Sequence, residues 1–381
     1  MITNGSQKFS IYDIFIILIL TFFLLEVVLR IGAFDQKLTY SLHDANGNEL
    51  FSRFFSDKQW YDQYIAYSPD DVLGWKQKPN NSFYFHDSHN EYSFAFSTDE
   101  FGNRISPYNS GKKTLFLGDS FTFGWGQNDS NIFPNMLGEK LRLNVRNYGQ
   151  LGYGTDQELL VLKQVIDDED PDQIILVIFS GNDFENNFVE VPQKNDACIR
   201  KTFFTLTENG LVPHSEYIKN CYSFDFVKAA YLVSSQYSVT AKLLFHLYFN
   251  LIGKFSSTPQ SGAAGLADSQ IRITHALLSQ IQNVSSDYQV PLYLFVVPSR
   301  SLVQNGTSLI DNEEVFIESL KNYSSTHDIF IYDSSEYLKK AYRERGILYH
   351  ENESIGAHLN AEGNKALAEY MLSILDEDGA R

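Results

Sequence analysis

A chain of 381 residues with 43% apolar side chains is long enough for one large core plus a smaller module, or for two ordinary domains, and too apolar to remain disordered. Acidic residues outnumber basic ones by 47 to 30, and the formal charge of −17 repels nucleic-acid phosphates, so no nucleic acid is expected as a partner. The two cysteines, Cys198 and Cys221, have neither zinc-site nor redox-pair spacing, so no metal or other cofactor is expected.

The first element is apolar. From Ile14 to Leu25 only Thr21 interrupts the run, and Val27, Val28, Leu29, Ile31 and Phe34 extend it past Glu26 and Arg30. A bilayer-spanning helix needs about 20 mostly apolar residues, so residues 1–36 read as a single-pass membrane anchor. A cleaved signal peptide is the rival, with Lys8 as its basic end, but no small-x-small cleavage site follows the apolar run. A buried soluble helix is the third reading, weakened by the lack of a polar face. Lys8 on one side is set against Arg30 and Lys37 on the other, so charge barely chooses an orientation. The lone cysteines favour a periplasmic or extracellular location for the domain beyond the anchor, where a Cys198–Cys221 disulfide would persist.

Residues 37–111 alternate in short runs, as in Tyr92, Phe94 and Phe96, between turn-forming clusters such as Leu73-Gly74-Trp75 and Asp99 to Arg104. They read as a small lead-in module of strands and loops. From Thr114 the pattern changes to buried strands at Thr114–Leu117, Val145–Tyr148, Ile174–Phe179, Leu292–Val297 and Ile329–Tyr332, separated by amphipathic helices. Helices are expected at about 131–143, 269–287 and 312–323, after a Thr155/Glu158 capping box, and after Asn360. Strands alternating with helices predict a doubly wound, mostly parallel α/β sheet over 112–381, with ligands bound beyond the carboxyl ends of its strands. Residues 184–268 exceed what one crossover needs and read as an insertion placed to act as a lid.

Four segments carry chemistry. Leu115 to Ser120 sets a serine directly after a buried strand, with Gly118 permitting a tight turn and a helix starting beyond it. Its neighbours are the glycine-rich loop Gly149 to Gly154, which lacks the spacing of nucleotide-binding loops, and Asn182, whose amide donates two N–H bonds. Last comes His358, ahead of the final helix, with a side-chain pKa range suited to taking a proton from serine. The other eight histidines read as surface or packing residues.

Taken in order, Gly118-Asp119-Ser120-Phe121, Gly152, Asn182 and His358 resemble the GDSL or SGNH hydrolase superfamily over about residues 112–376. That resemblance implies a three-layer α/β/α fold with a flavodoxin-like sheet. It implies Ser120 as nucleophile, His358 as base, and an oxyanion hole of Ser120, Gly152 and Asn182. An ester is the implied substrate, an O-acetylated glycan first among them. The alternatives are an O-acyltransferase using the same site, and a catalytically silent carbohydrate-binding module. Phe121 and Ser180 depart mildly from the family pattern. The larger departure lies before His358, where the family's aspartate is replaced by Ile355 or Gly356. Glu353 or Glu351 substitutes for it, a backbone carbonyl orients the ring, or the site has decayed. Oligomeric state is not legible.

Overall fold

The computed structural model describes residues 10–31, 41–44, 49–50, 67–86, 92–187, 201–214, 238–241, 243–244, 247, 263–306, 313–327, 329–351 and 355–379. Cys198, Cys221 and Glu353 lie outside the described residues. The chain divides into two compact units, one of Met1–Ser41, His86–Tyr92 and Phe224–Pro259, the other of Leu42–Phe85, Ser93–Ser223 and Gln260–Arg381.

In the first unit, Ile11–Ile31 forms one helix. Ser10 and Asp13 close its first turn reciprocally, the Ser10 N–H donating to Asp13 Oδ2 at 2.8 Å and the Asp13 N–H to Ser10 Oγ at 3.2 Å. With a mean hydropathy of 2.5 over Ile11–Leu29, the helix is long and apolar enough to cross a membrane, a test that signal sequences also pass.

The second unit is built on five parallel strands: β1 (Lys112–Gly118), β2 (Leu143–Asn147), β3 (Gln173–Phe179), β4 (Leu292–Val297) and β5 (Ile331–Asp333). Their spatial order is β2-β1-β3-β4-β5, the flavodoxin-like arrangement, whose growth direction reverses between β1 and β3. Every residue of β3 is buried, as expected of a strand covered on both faces. Alternation along the strands sends Phe116, Ile175, Val177, Phe295 and Val297 to one face. There they pack with Phe133 and Leu137 of Phe133–Leu141, Leu338 of Ser335–Arg345, and Leu367 and Met371 of Ala361–Gly379. Thr155–Glu169, Ala263–Asp287 and Glu313–Thr326 form the other helical layer, packed on one another. The result is the expected three-layer α/β/α fold. Each buried Leu, Ile, Val or Phe side chain contributes about 1.5–3 kcal/mol, so these two interfaces dominate the unit's stability.

Where boundaries differ from expectation, local chemistry accounts for them. Pro134 in the first turn helps set the start at Phe133, with 129–131 winding as a 3₁₀ turn before it. The 263–287 helix begins six residues early because the Ala-rich end of the linker favours helix. The Thr155/Glu158 capping box is overturned. The N-cap is Gly154, whose N–H donates to Gln157 Oε1 at 3.3 Å, while Thr155 and Glu158 are buried inward.

The lead-in residues of this unit form short strands, including an antiparallel pair of Tyr67–Asp70 and Gly74–Gln77. Phe83 and Phe96 stack at 4.6 Å, Phe85 and Phe94 at 4.8 Å, and Phe96 and Phe94 meet the ring edges of Phe123 and Trp125. Within the insertion, Phe203–Thr207 and Gly210–His214 form a hairpin, and Lys201 just before it bonds both carboxylate oxygens of buried Asp156 at 2.7 Å.

Candidate active site

Three adjacent strands deliver three of the expected residues to one edge. Ser120 follows β1, next to the edge strand β2, and the loops carrying Gly152 and Asn182 leave β2 and β3 on either side. This is the switch point of the sheet, where such folds open a crevice.

The turn before Ser120 is sterically determined. Gly118 has φ +153°, and a Cβ there would fall 2.2 Å from Thr122 Oγ1 and 2.9 Å from the Val177 carbonyl. Asp119 caps the short helix Ser120–Phe123 by accepting the Phe121 N–H at 2.8 Å. Ser120, 8% exposed, sits at the helix start.

His358 meets it. Its Nε2 lies 2.8 Å from Ser120 Oγ, and its Nδ1 lies 2.6 Å from the Ile355 carbonyl oxygen. A carbonyl only accepts, so Nδ1 carries the hydrogen and Nε2 offers its lone pair to the serine hydroxyl. The ring reaches back three residues because Gly356, at φ +72°, turns the chain. Enclosure by apolar neighbours, Phe121 at 5.1 Å among them, lowers the His358 pKa to about 4, against which the Ile355 bond works in the opposite direction. A backbone carbonyl therefore occupies the place of the missing aspartate, and Glu351 is exposed.

Several residues of this assembly had no signal in the sequence. His350, expected to be a surface or packing residue, is 7% exposed and beside the dyad. Its N–H donates to the His358 carbonyl at 2.8 Å, and its Nε2 pairs with Gln127 Nε2 at 2.6 Å. Burial and then the neighbouring His358 lower its pKa to about 4. Arg300 holds the His350 carbonyl at 2.8 Å. Gly126 lies so close that a Cβ there would come within 2.5 Å of Ile355 Cγ2. Arg104, from the lead-in, is buried and donates to the carbonyls of Phe123, Gly124 and Gln127 at 3.0, 2.8 and 2.6 Å, and to Asp129 at 2.9 Å. One guanidinium thus ties together the segment that runs from the Ser120–Phe123 helix to the two histidines. Only its place in an unremarkable turn cluster marked it in the sequence.

The Gly152 loop is fixed in the same manner. Trp75 Nε1 donates to the Leu151 carbonyl at 2.8 Å, and Gln150 accepts from the Gln77 N–H and donates to the Gly102 carbonyl, both at 3.0 Å. Gly152 itself has φ +76°. After β3, Asp183 accepts the Phe179 N–H at 2.7 Å and closes the turn that presents Asn182, whose Oδ1 is buried with no partner among the described residues.

Behind Ser120 lies a group of buried carboxylates. Burial, opposed by the Phe121 N–H, pushes Asp119 up to about 7. Burial and then the Asp119 charge push Glu158 and Asp183 well above the ordinary range. Asp156 is raised by burial and partly relieved by Lys201. Among the described residues no group of His, Cys, Asp and Glu is arranged to hold a metal ion.

No family model matches the chain, and no curated protein matches it. Among solved structures it is similar to a member of the lipolytic protein G-D-S-L family from Veillonella parvula, at 14% identity over 69% of this chain and 98% of that one, with a TM-score of 0.38. An acetyl xylan esterase shares 12% identity over 69% of this chain and 98% of its own, with a TM-score of 0.40. The lipase/acylhydrolase from Enterococcus faecalis shares 12% over 70% and 97%, with a TM-score of 0.37. The site itself stands on the distances above.

Proposed function

We propose that the protein is a serine esterase of the SGNH type, with Ser120 as nucleophile, His358 as base, and an oxyanion hole formed by the Ser120 and Gly152 N–H groups and the Asn182 amide. The observation that carries this reading is the hydrogen-bond chain from the Ile355 carbonyl through His358 to Ser120 Oγ. Nε2 takes the hydroxyl proton as Oγ bonds to the ester carbonyl carbon, and the carbonyl oxygen becomes an oxyanion held by the three donors. The imidazolium then protonates the departing alkoxide, leaving an acyl-enzyme. Water enters, gives its proton to Nε2 and bonds to the acyl carbon. Collapse returns that proton to Ser120 Oγ and releases the acid. An O-acetylated glycan is the substrate class proposed first. The N-terminal helix acts as a single-pass anchor, with the catalytic unit periplasmic or extracellular.

A fluorophosphonate probe tests the nucleophile. Label is expected on Ser120 alone and is lost in Ser120→Ala. His358→Ala should slow labelling, and both variants should lower hydrolysis of an activated acetyl ester by about 10⁴-fold or more. Equal background rates in wild type and both variants, across acetylated glycans and small esters, would replace the esterase reading with a silent binding module.

A further inference from the structure

The helix Ile11–Ile31 carries one carboxylate within its apolar stretch, Glu26, and that carboxylate is not left to solvent. It accepts the Ser238 hydroxyl at 2.8 Å, the Val239 N–H at 3.1 Å and the Thr240 N–H at 2.9 Å. Ser238 Oγ in turn accepts the Ala241 N–H at 3.0 Å. Residues 239–241, 243–244 and 247 are helical, so Glu26 and Ser238 together satisfy the first three free N–H groups of a second helix. The positive end of that helix faces the carboxylate, which suits the pair electrostatically.

Burial agrees with the hydrogen bonds. Helix Ile11–Ile31 is exposed along its apolar length except near this contact, where Leu29 is 6% exposed, and opposite it Val239, Thr240 and Ala241 are 6%, 0% and 8% exposed. One turn and two turns on, Leu244 and Leu247 are 52% and 54% exposed. The sequence continues Leu243-Leu244-Phe245-His246-Leu247-Tyr248-Phe249-Asn250-Leu251-Ile252, an apolar run between Lys242 and Lys254.

We infer that the chain returns to the membrane here: the helical residues that follow Ser238 are docked by Glu26 onto the anchor and contact lipid, with Leu244 and Leu247 facing acyl chains. This rests on the reading of Ile11–Ile31 as an anchor and extends it. At about 1.5 Å per residue, Glu26 sits about 7.5 Å from the Ile31 end, near the boundary of the hydrocarbon layer. A carboxylate at that depth needs donors that water no longer supplies, and the capped helix supplies three. The lipid bilayer is the occupant assigned to Leu244 and Leu247, because the helix onto which Glu26 docks this segment is itself exposed along its apolar length and long enough to cross a membrane. The contact also separates a retained anchor from a cleaved signal, because a discarded segment would leave the 238–241 N–H groups without their acceptor.

The test uses full-length protein in vesicles of phosphatidylethanolamine and phosphatidylglycerol, doped with a phospholipid bearing a diazirine at its acyl-chain end. After photolysis, tryptic peptides are mapped by mass. Acyl adducts are expected on the anchor peptide 9–30 and on peptide 243–254, and at least tenfold fewer on peptide 202–219, which carries the hairpin. Glu26→Ala should lower labelling of 243–254 several-fold while leaving 9–30 unchanged. Label on 9–30 with none on 243–254 overturns the inference and leaves the anchor standing. No label on either peptide overturns the anchor reading and the inference with it. Unchanged labelling of 243–254 in Glu26→Ala overturns the docking role of Glu26.

Discussion

The two flanks of Ser120 are built from opposite materials. Toward His358 there is a hydroxyl, an imidazole and a backbone carbonyl, with no carboxylate bonded to the ring among the described residues. Behind it, Asp119, Asp156, Glu158 and Asp183 are all buried, and the cation bonded within that group is Lys201. Acids are therefore plentiful near Ser120. Among the described residues none of them bonds His358 Nδ1, the atom at which the proposed mechanism would use one. A carboxylate at Nδ1 both fixes the tautomer and stabilises the imidazolium. A carbonyl does the first with a well-placed lone pair and contributes less to the second. The buried acids do neither, and mutual repulsion with desolvation favours their neutral forms.

The comparison breaks most severely if the scaffold holding the histidine flank is removed. Arg104→Met takes away bonds to three carbonyls and to Asp129, and is expected to cost about 3–5 kcal/mol by denaturant titration and to lower kcat by about 100-fold. Arg104→Lys should not restore either value, because a single ammonium cannot span the same acceptors. Wild-type kcat in a stably folded Arg104→Met protein would show that this segment does not position the dyad.

The acid flank should respond in the opposite sense. The Glu158 carboxyl has no hydrogen-bond partner among the described residues, and its folded-state pKa is raised. The folded protein therefore holds a proton that the unfolded chain releases, and stability falls as pH rises above the ordinary glutamate range toward the folded value. Glu158→Gln should be more stable than wild type at pH 8, by about 1–3 kcal/mol, with the gap closing toward pH 5. Melting curves at the two values check it, and a destabilised variant at pH 8 would mean that the carboxylate is ionised and paired.

A pH profile sharpens the contrast. In the proposed mechanism the neutral imidazole is the base, so kcat/KM should hold as pH falls through the usual histidine range and drop only near pH 4, where half-buried His358 gains its proton. The same lowered pKa works against the fold in acid, because the unfolded chain takes up protons first as pH falls below about 6.5. Profiles are therefore read only where melting shows the protein folded. An acid limb at 6–7 would place a carboxylate or water beside Nδ1. The smallest expected effect is the most discriminating: Glu353→Gln should leave turnover of an activated acetyl ester within about twofold of wild type, since Nδ1 is held by the Ile355 carbonyl. A loss of orders of magnitude would return the orienting role to Glu353.

The middle of the sheet was legible because a strand buried on both faces must be written as an unbroken apolar run, as Ile174 to Phe179 is. Ser120 and His358 were singled out only as parts of a set of four motif blocks carrying a family resemblance, and the fold brings the two together, with Gly118 leaving no room for a side chain in the turn before Ser120. The group at Nδ1 was left open between glutamates and a carbonyl, because backbone carbonyls carry no sequence identity and only the turn at Gly356 decides where one points. Arg104, Gln127, His350 and Arg300 were not legible at all. Arg104 reaches Gln127 across 23 residues and Gln127 reaches His350 across 223, and each side chain has meaning only beside its partner. Glu158 looked like half of a capping box because three-residue spacing is all a sequence displays. Rotation about the 155–169 helix decided that it faces inward, where lack of water rather than local spacing sets its charge.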